Sequence, residues 1–216
     1  MIHDLLINNV SVASLGWIRE SIDFPSPAPQ METITVPGRN SPIRYTEALG
    51  KVSYEPRTFE ITLTMLGERT AFNRMADDLI NRFQGKLVSV ICSEEPNLYV
   101  YGTVVLERAY NPKTGKGEIN ISCSDADSYR YHVNETSVVI TGNGKAVLEN
   151  DYMPVVPKVI TTYETILQWR VGEEQFQKTI SAGSWEIPEL ELAAGKNTVT
   201  VSSQGQTTFL YREGRL

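Results

Sequence analysis

The chain has 216 residues, 41% of them hydrophobic, which is enough for one large β domain or two small ones without disulfides or a structural metal. Its formal net charge is −6, and its lysine and arginine residues are scattered along the sequence rather than clustered. This distribution argues against stable nucleic-acid binding, which requires grouped basic side chains opposite the phosphates.

The N-terminus begins MIHDLLINN, with no basic start followed by an apolar run, so we expect no secretory signal and folding in a reducing cytoplasm. No apolar stretch approaches the roughly 18–20 residues that a membrane-spanning helix needs, so we expect no membrane insertion. Cys92 and Cys123 lie in alternating apolar stretches, which favours reduced core residues over a disulfide.

The first predicted elements are short strands and turns. Residues 5–16 (LLINNVSVASLG) predict two strands joined by an Asn-Asn turn. Residues 23–29 (DFPSPAP) contain three prolines, which exclude an inner strand and indicate a loop or an arm along a sheet edge. A tight turn is predicted at 37–39 (PGR), and residues 57–65 (RTFEITLTM) alternate as a half-buried antiparallel strand.

One helix is predicted, over about residues 70–84. Its apolar residues recur at helical spacing, at Phe72, Met75, Ala76, Leu79, Ile80 and Phe83. Thr70 is predicted to cap the first turn, and Gly85 to follow the last. A single helix cannot bury such a stripe by itself, so we expect it to cover a sheet.

Two hairpins are predicted after the helix, the first between strands 87–92 and 98–107. In the second, the loop 111–117 (NPKTGKG) leads into strand 118–123. A phosphate-binding loop would lead into a helix, so the sequence favours an ordinary hairpin tip.

The composition becomes polar and turn-like after residue 131, which places a domain boundary between residues 1–131 and 132–216. The second domain has glycine-rich turns at short intervals, typical of a compact antiparallel β-sandwich. Its predicted strands are 137–140, 146–149, 158–162, 165–171, 175–180, 184–192, 198–202 and 207–212. The predicted fold class is mainly β, with a sandwich or barrel-like first domain that carries the helix.

The sequence predicts no catalytic, cofactor-binding or metal-binding residues. His3 and His132 are the only histidines and fall in different predicted domains, which disfavours a zinc site or a Ser-His-acid triad. A carboxylate pair for glycoside hydrolysis stays open, because acids distant in sequence can converge. Trp169 and Trp185 each alternate with apolar residues, which favours core positions over sugar-stacking platforms.

Several short stretches carry a further signal in their order and spacing. They are LINN at 6–9, VPGR at 36–39, Tyr54 and Arg57 with the strand that follows, the helix before Gly85, EP at 95–96, YVYG at 99–102, SCSD at 122–125 and YRY at 129–131. The C-terminal run continues with LEL at 190–192, GKNTVTV at 195–201 and FLYREGRL at 209–216. Together they resemble the distal tail proteins of long-tailed, non-contractile bacteriophages, and the C-terminal run resembles that family's galectin-like second domain. Ala126 stands where many relatives have proline.

The resemblance implies a ring-shaped hub at the tail tip, usually a hexamer, without catalysis or cofactors. Such a hub joins the tail tube to tail-associated and receptor-binding proteins of the baseplate, is assembled in the bacterial host cytoplasm and lets DNA pass through unbound. Pro37, Gly38 and Arg39 in one turn, and Lys113 and Lys116 in the other, are the predicted protein contacts.

The alternative is a carbohydrate-binding adhesion module for host cell-surface glycans, with Trp169 and Trp185 as its candidate residues. The galectin patterns His-x-Asn-x-Arg and Trp-x-x-Glu-x-Arg are incomplete here. Thr136 stands in place of the first pattern's arginine, and Pro188 follows Trp185 where glutamate is required. Because the arginine forks that bind sugar hydroxyls are missing, the sequence favours a second domain that docks onto proteins.

Overall fold

A computed structural model describes residues 4–31, 33–44 and 52–216 of the chain, so His3 lies outside the described residues. The residues separate into two units with their own cores, Met1–Arg130 and Tyr131–Leu216. The described part is mainly β and contains a single α-helix, which confirms the predicted fold class.

The first unit contains two antiparallel sheets, a helix and a short hairpin. Its elements are β1 (Leu5–Ile7), β2 (Val10–Ser11), a 3-10 turn (Ala13–Leu15), β3 (Ile18–Asp23), β4 (Thr33–Ile34), β5 (Ile43–Arg44), β6 (Arg57–Leu66), α1 (Arg69–Phe83), β7 (Leu87–Cys92), β8 (Leu98–Thr103), β9 (Val105–Asn111) and β10 (Lys116–Ala126). One sheet has the order β3-β6-β10-β9, and the other includes β2-β1-β7-β8. The predicted strand 98–107 is two strands, β8 and β9, with the buried Val104 between them.

The helix buries the predicted face, with Phe72, Ala76, Leu79 and Phe83 in the core. Its start was predicted wrongly in one detail, because Glu68 rather than Thr70 occupies the cap position and no side chain caps the helix. The predicted end is confirmed. Gly85 has a φ of 66°, a conformation that costs glycine little.

Phe72 fixes the helix to the β3-β6-β10-β9 sheet. Its ring stacks on Tyr110 at 5.3 Å between centroids and meets Trp17 edge-to-face at 6.2 Å. Below it lies Gly117 of β10, where an added Cβ would stand 2.2 Å from a ring carbon of Phe72. The helix therefore approaches this strand closely because residue 117 has no side chain.

Arg57 is the most deeply buried charged side chain described in the first unit, with 2% of its surface exposed. Its guanidinium donates hydrogen bonds to the carbonyls of Pro25 (3.1 Å) and Ser128 (3.2 Å) and lies 5.0 Å from the ring centroid of Phe24. Burial lowers the pKa of Arg57 to about 10. This value is still well above 7, so the side chain is charged at neutral pH. Arg57 thus ties the segments around Pro25 and Ser128 to the start of β6.

The second unit is a β-sandwich of two four-stranded antiparallel sheets, ordered β12-β19-β14-β17 and β13-β18-β15-β16. After β11 (Arg130–His132), its strands are β12 (Thr136–Thr141), β13 (Gly144–Asn150), β14 (Lys158–Thr161), β15 (Thr165–Val171), β16 (Glu174–Ile180), β17 (Gly183–Glu186), β18 (Gly195–Ser203), β19 (Gln206–Tyr211) and β20 (Gly214–Arg215). Leu148, Leu167, Val199 and Phe209 fill the space between the sheets. The predicted strand 184–192 was too long, since β17 ends before Pro188.

Candidate interaction surfaces

A mostly exposed arm, residues 24–31 and 33–44, follows β3 in the first unit. Backbone hydrogen bonds fix its base, from Gln30 N to Ser53 O and from Glu55 N to Ala28 O, each 2.8 Å long. Beyond this point the strands β4 and β5 pair with each other and with no other described strand. A lone two-stranded hairpin is marginally stable in water, so we expect a partner surface to stabilise the arm.

The arm also exposes large apolar side chains. Met31 is 70% exposed and Ile34 is 51% exposed, and Val36 lies beside them in sequence. Grouped apolar side chains on a projecting segment are typical of a protein–protein contact. The predicted turn at the tip is confirmed, because Arg39 N donates to Val36 O at 3.1 Å and Gly38 has a φ of 83°.

The second predicted contact region is the turn between β9 and β10. Lys113 is exposed in this turn, where its backbone N–H donates to the side chain of Asn111 (3.0 Å). Lys116 is the first residue of β10, and its ammonium lies 2.7 Å from Glu118 and 2.8 Å from Glu20. Hydrogen bonds to Glu118 and Glu20 raise the pKa of Lys116, so this lysine is already engaged inside the unit.

The outward side of the β3-β6-β10-β9 sheet forms what we call the acidic face. The four strands carry Asp23, Glu60, Glu118 and Glu107 in the order of the strands, and Glu118 is paired with Lys116 of the same strand. These side chains are exposed or half-exposed in the described protomer. Asp23 stands directly opposite Glu60, a like-charged cross-strand pair that costs stability.

The outward side of the β13-β18-β15-β16 sheet forms what we call the basic face. It carries Lys145, Arg170 and Lys196 among neutral polar residues, and these residues line an open cavity of about 410 Å³. The core-facing neighbours Ala146 and Leu148 are buried, so alternation places Lys145 and Glu149 outward. The sequence shows these polar positions on separate strands, but only the register brings them together.

The two tryptophans of the alternative hypothesis occupy different environments. Trp169 is buried, stacks on Phe176 at 5.7 Å and donates its indole N–H to Glu189 O at 2.9 Å, which confirms the predicted core position. The core prediction for Trp185 was wrong, because this side chain is 40% exposed. Trp185 lies on the edge strand β17, which has a neighbouring strand on one side only.

The remaining candidates for chemistry among the described residues are one histidine and two cysteines. His132 Nε2 lies 3.2 Å from Asp151, which also contacts Arg215 at 2.9 Å. Cys92 and Cys123 are free thiols, and burial raises the pKa of each to about 11. In the described ranges no three histidine, cysteine or acidic side chains are grouped as a metal site would require, and no helix is long and apolar enough to cross a membrane.

Comparison with solved structures places this two-unit β architecture in a known class: the chain has a Dit-like fold, that of a phage hub protein. One solved structure that it matches is the Dit protein (gp 19.1) of phage SPP1, described as a paradigm of the hub adsorption apparatus in phages that infect Gram-positive bacteria. The TM-score is 0.70, with 14% sequence identity and coverage of 100% of both chains. No protein-family model and no curated protein sequence matches the chain.

Proposed function

We propose that this protein is a structural hub of a bacteriophage tail tip. In this role, copies of the chain close into a ring, a hexamer, that connects the tail tube to tail-associated and receptor-binding proteins without catalysing a reaction. The observation that carries the proposal is the fold match, which extends over the full length of both chains rather than over one unit.

A ring requires a head-to-tail interface, in which one surface of a subunit meets a different surface of its neighbour. The arm supplies one such surface, because it projects apolar side chains from a hairpin that pairs with nothing else described. We therefore assign the arm, with Pro37, Gly38 and Arg39 at its tip, to the contact between neighbouring copies. Lys113 belongs to the second, weaker candidate contact at the β9–β10 turn.

The acidic face is the surface that we assign to the central opening of the ring. On this side Lys116 offsets the charge of Glu118, and the carboxylates Asp23, Glu60 and Glu107 leave a net negative field that repels the phosphates of passing DNA rather than holding them. The opposed pair of Asp23 and Glu60 makes a folded protomer less stable, so selection for stability does not explain it. Passage of DNA without binding explains both observations.

The oligomeric state tests the proposal directly. Light scattering on the purified full chain at micromolar concentration is expected to give about six times the 24.2 kDa protomer mass, about 145 kDa. Negative-stain microscopy of the same sample is expected to show rings with a central hole. A chain that stays monomeric, and forms no ring when mixed with a tail tube protein, contradicts the proposal.

Ile34→Asp is expected to dissociate the ring. Burial of an isoleucine side chain contributes about 1.5–3 kcal/mol, so its loss in each interface raises the dissociation midpoint concentration by about tenfold or more. Val139→Asp is the matched control, since Val139 is 47% exposed and lies in the second unit. Light scattering over a dilution series measures the dissociation of both variants. If both dissociate equally, the arm is not part of the interface.

The exposed indole of Trp185 is the one observation that favours the alternative, a carbohydrate-binding adhesion module. Under that hypothesis Trp185→Ala abolishes glycan-array binding by the full chain while the unfolding temperature stays unchanged. Tyr163→Ala, which removes another exposed aromatic ring of the second unit, serves as the control. If the Trp185→Ala variant still binds the glycan array, Trp185 is not the carbohydrate-binding residue.

A further inference from the structure

The basic face has a charge opposite to that of the chain as a whole. The net charge of the protein is −6, yet this sheet surface carries three cationic side chains and one carboxylate, Glu149. Lys196 lies 3.4 Å from Glu149. Among the described residues, no carboxylate is in salt-bridge contact with Lys145 or Arg170, so these two cations are available to an outside partner.

The register places neutral polar side chains between the cations. Lys145 pairs with Thr200, which pairs in turn with Gln168 on the next strand, and Arg170 pairs with Gln175. The amide of Gln168 donates to Gln177 at 2.8 Å on the same side of the sheet. Amides and hydroxyls both donate and accept hydrogen bonds, so this surface offers both to a hydroxylated ligand.

The cavity on this face is open, and its volume of about 410 Å³ is in the range of small-ligand sites. Its wall contains Gln168, Gln175, Thr198 and Thr200 beside the cations Lys145, Arg170 and Lys196. A ligand in the cavity therefore meets hydrogen-bonding groups and positive charge at the same time.

We propose that the basic face binds an anionic saccharide, a polymer that presents sugar hydroxyls to the amides and hydroxyls and its anionic groups to Lys145 and Arg170. Stable protein interfaces have apolar or aromatic anchors at their centre. Val147 is the only largely exposed hydrophobic side chain among the outward residues of this described sheet. Single-stranded nucleic acid needs exposed rings for base stacking, and the ring of Trp169 is buried against Phe176.

This assignment differs from the Trp185 hypothesis and does not depend on ring formation. Trp185 belongs to β17 in the other sheet of the sandwich, whereas the basic face is built from β13, β15, β16 and β18. The two can therefore be tested separately in the same protein.

The experiment measures binding of the full chain to immobilised dextran sulfate and to uncharged dextran of equal length. We expect binding to dextran sulfate alone, with an affinity that falls as salt is added. The double variant Lys145→Gln/Arg170→Gln is expected to weaken binding at least tenfold and to reduce the salt dependence. The matched control Arg74→Gln/Lys158→Gln removes one exposed arginine and one exposed lysine elsewhere and is expected to change the affinity less than twofold.

Thr200→Glu is a second, independent variant, because it places a carboxylate next to Lys145 in the middle of the face. It is expected to weaken binding as much as the double variant, and thermal unfolding verifies that each protein is folded. Equal loss in the control variant, or no binding of dextran sulfate by the unmodified chain at low salt, overturns the proposal. Tighter binding of polyglutamate or of oligo-dT than of dextran sulfate also overturns it, in favour of an acidic protein or a nucleic acid.

Discussion

Arg57→Met is expected to destabilise the protein by about 2–4 kcal/mol, because it removes a buried guanidinium that donates three hydrogen bonds to backbone carbonyls. The carbonyls of Pro25 and Ser128 lose their guanidinium partner, and the ring of Phe24 loses the cation beside it. Methionine keeps much of the volume, so the loss reports the hydrogen bonds rather than a cavity. Urea unfolding of the full chain measures the change.

Arg108→Met is the matched control for this prediction. Arg108 is also paired, with Asp77 at 2.6 Å, but about half of its side chain is exposed. Exposed ion pairs contribute about 0–1 kcal/mol, so we expect the control to lie close to the unmodified protein. Equal losses from the two substitutions contradict a special role for Arg57. Faster proteolytic cleavage between residues 24 and 31 in the Arg57 variant alone supports its role at the base of the arm.

Gly117→Ala is expected to cost about 1–3 kcal/mol, since the new methyl group would overlap the ring of Phe72. The ring cannot move aside easily, because Trp17 and Tyr110 pack against it. Phe72→Ala alone is expected to cost about 3–5 kcal/mol through the cavity that it leaves. Unfolding in urea gives both values.

The double variant Gly117→Ala/Phe72→Leu distinguishes overlap from a general intolerance of change at residue 117. A smaller side chain at residue 72 leaves room for the methyl group, so we expect the double variant to lose less stability than Gly117→Ala and Phe72→Leu, measured as single variants, added together. Gly67→Ala is the control, because a Cβ there meets only the mobile end of Met65, at 3.1 Å. Strict additivity in the double variant contradicts the proposed overlap.

The sequence predicted the elements of the fold well where periodicity and burial agree. The stripe of α1 fixed the helix to within a residue at each end, and the alternation of β6 gave the strand with its buried face. Local chemistry was less informative at the start of the helix. Thr70 is a good capping residue by type, but the chain enters the helix earlier and Glu68 takes that position.

Alternation failed at Trp185 for a physical reason. Trp185 is paired with the buried Val159, but β17 is an edge strand with a neighbour on one side only, and all four of its residues are exposed. The order of strands in a sheet is set by long-range pairing, which a single sequence does not show. Trp169, with strands on both sides, follows the alternation rule.

The candidate surfaces depend on the same long-range information. Asp23 and Glu60 are 37 positions apart and become neighbours through the pairing of β3 with β6. Lys145 and Arg170 join one face because β18 lies between their strands. A single sequence does not show that equal charges collect on one sheet, because it does not show which strands pair.

The two native thiols have a practical consequence for following assembly in solution. With pKa values of about 11, on the order of one in ten thousand is a thiolate at neutral pH, and thiol reagents attack the thiolate. A cysteine introduced at the exposed position of Arg39 would consequently take up a maleimide dye long before Cys92 or Cys123 reacts. Fluorescence energy transfer between dyes on separate copies can then time the association of subunits without deleting any native residue from the core.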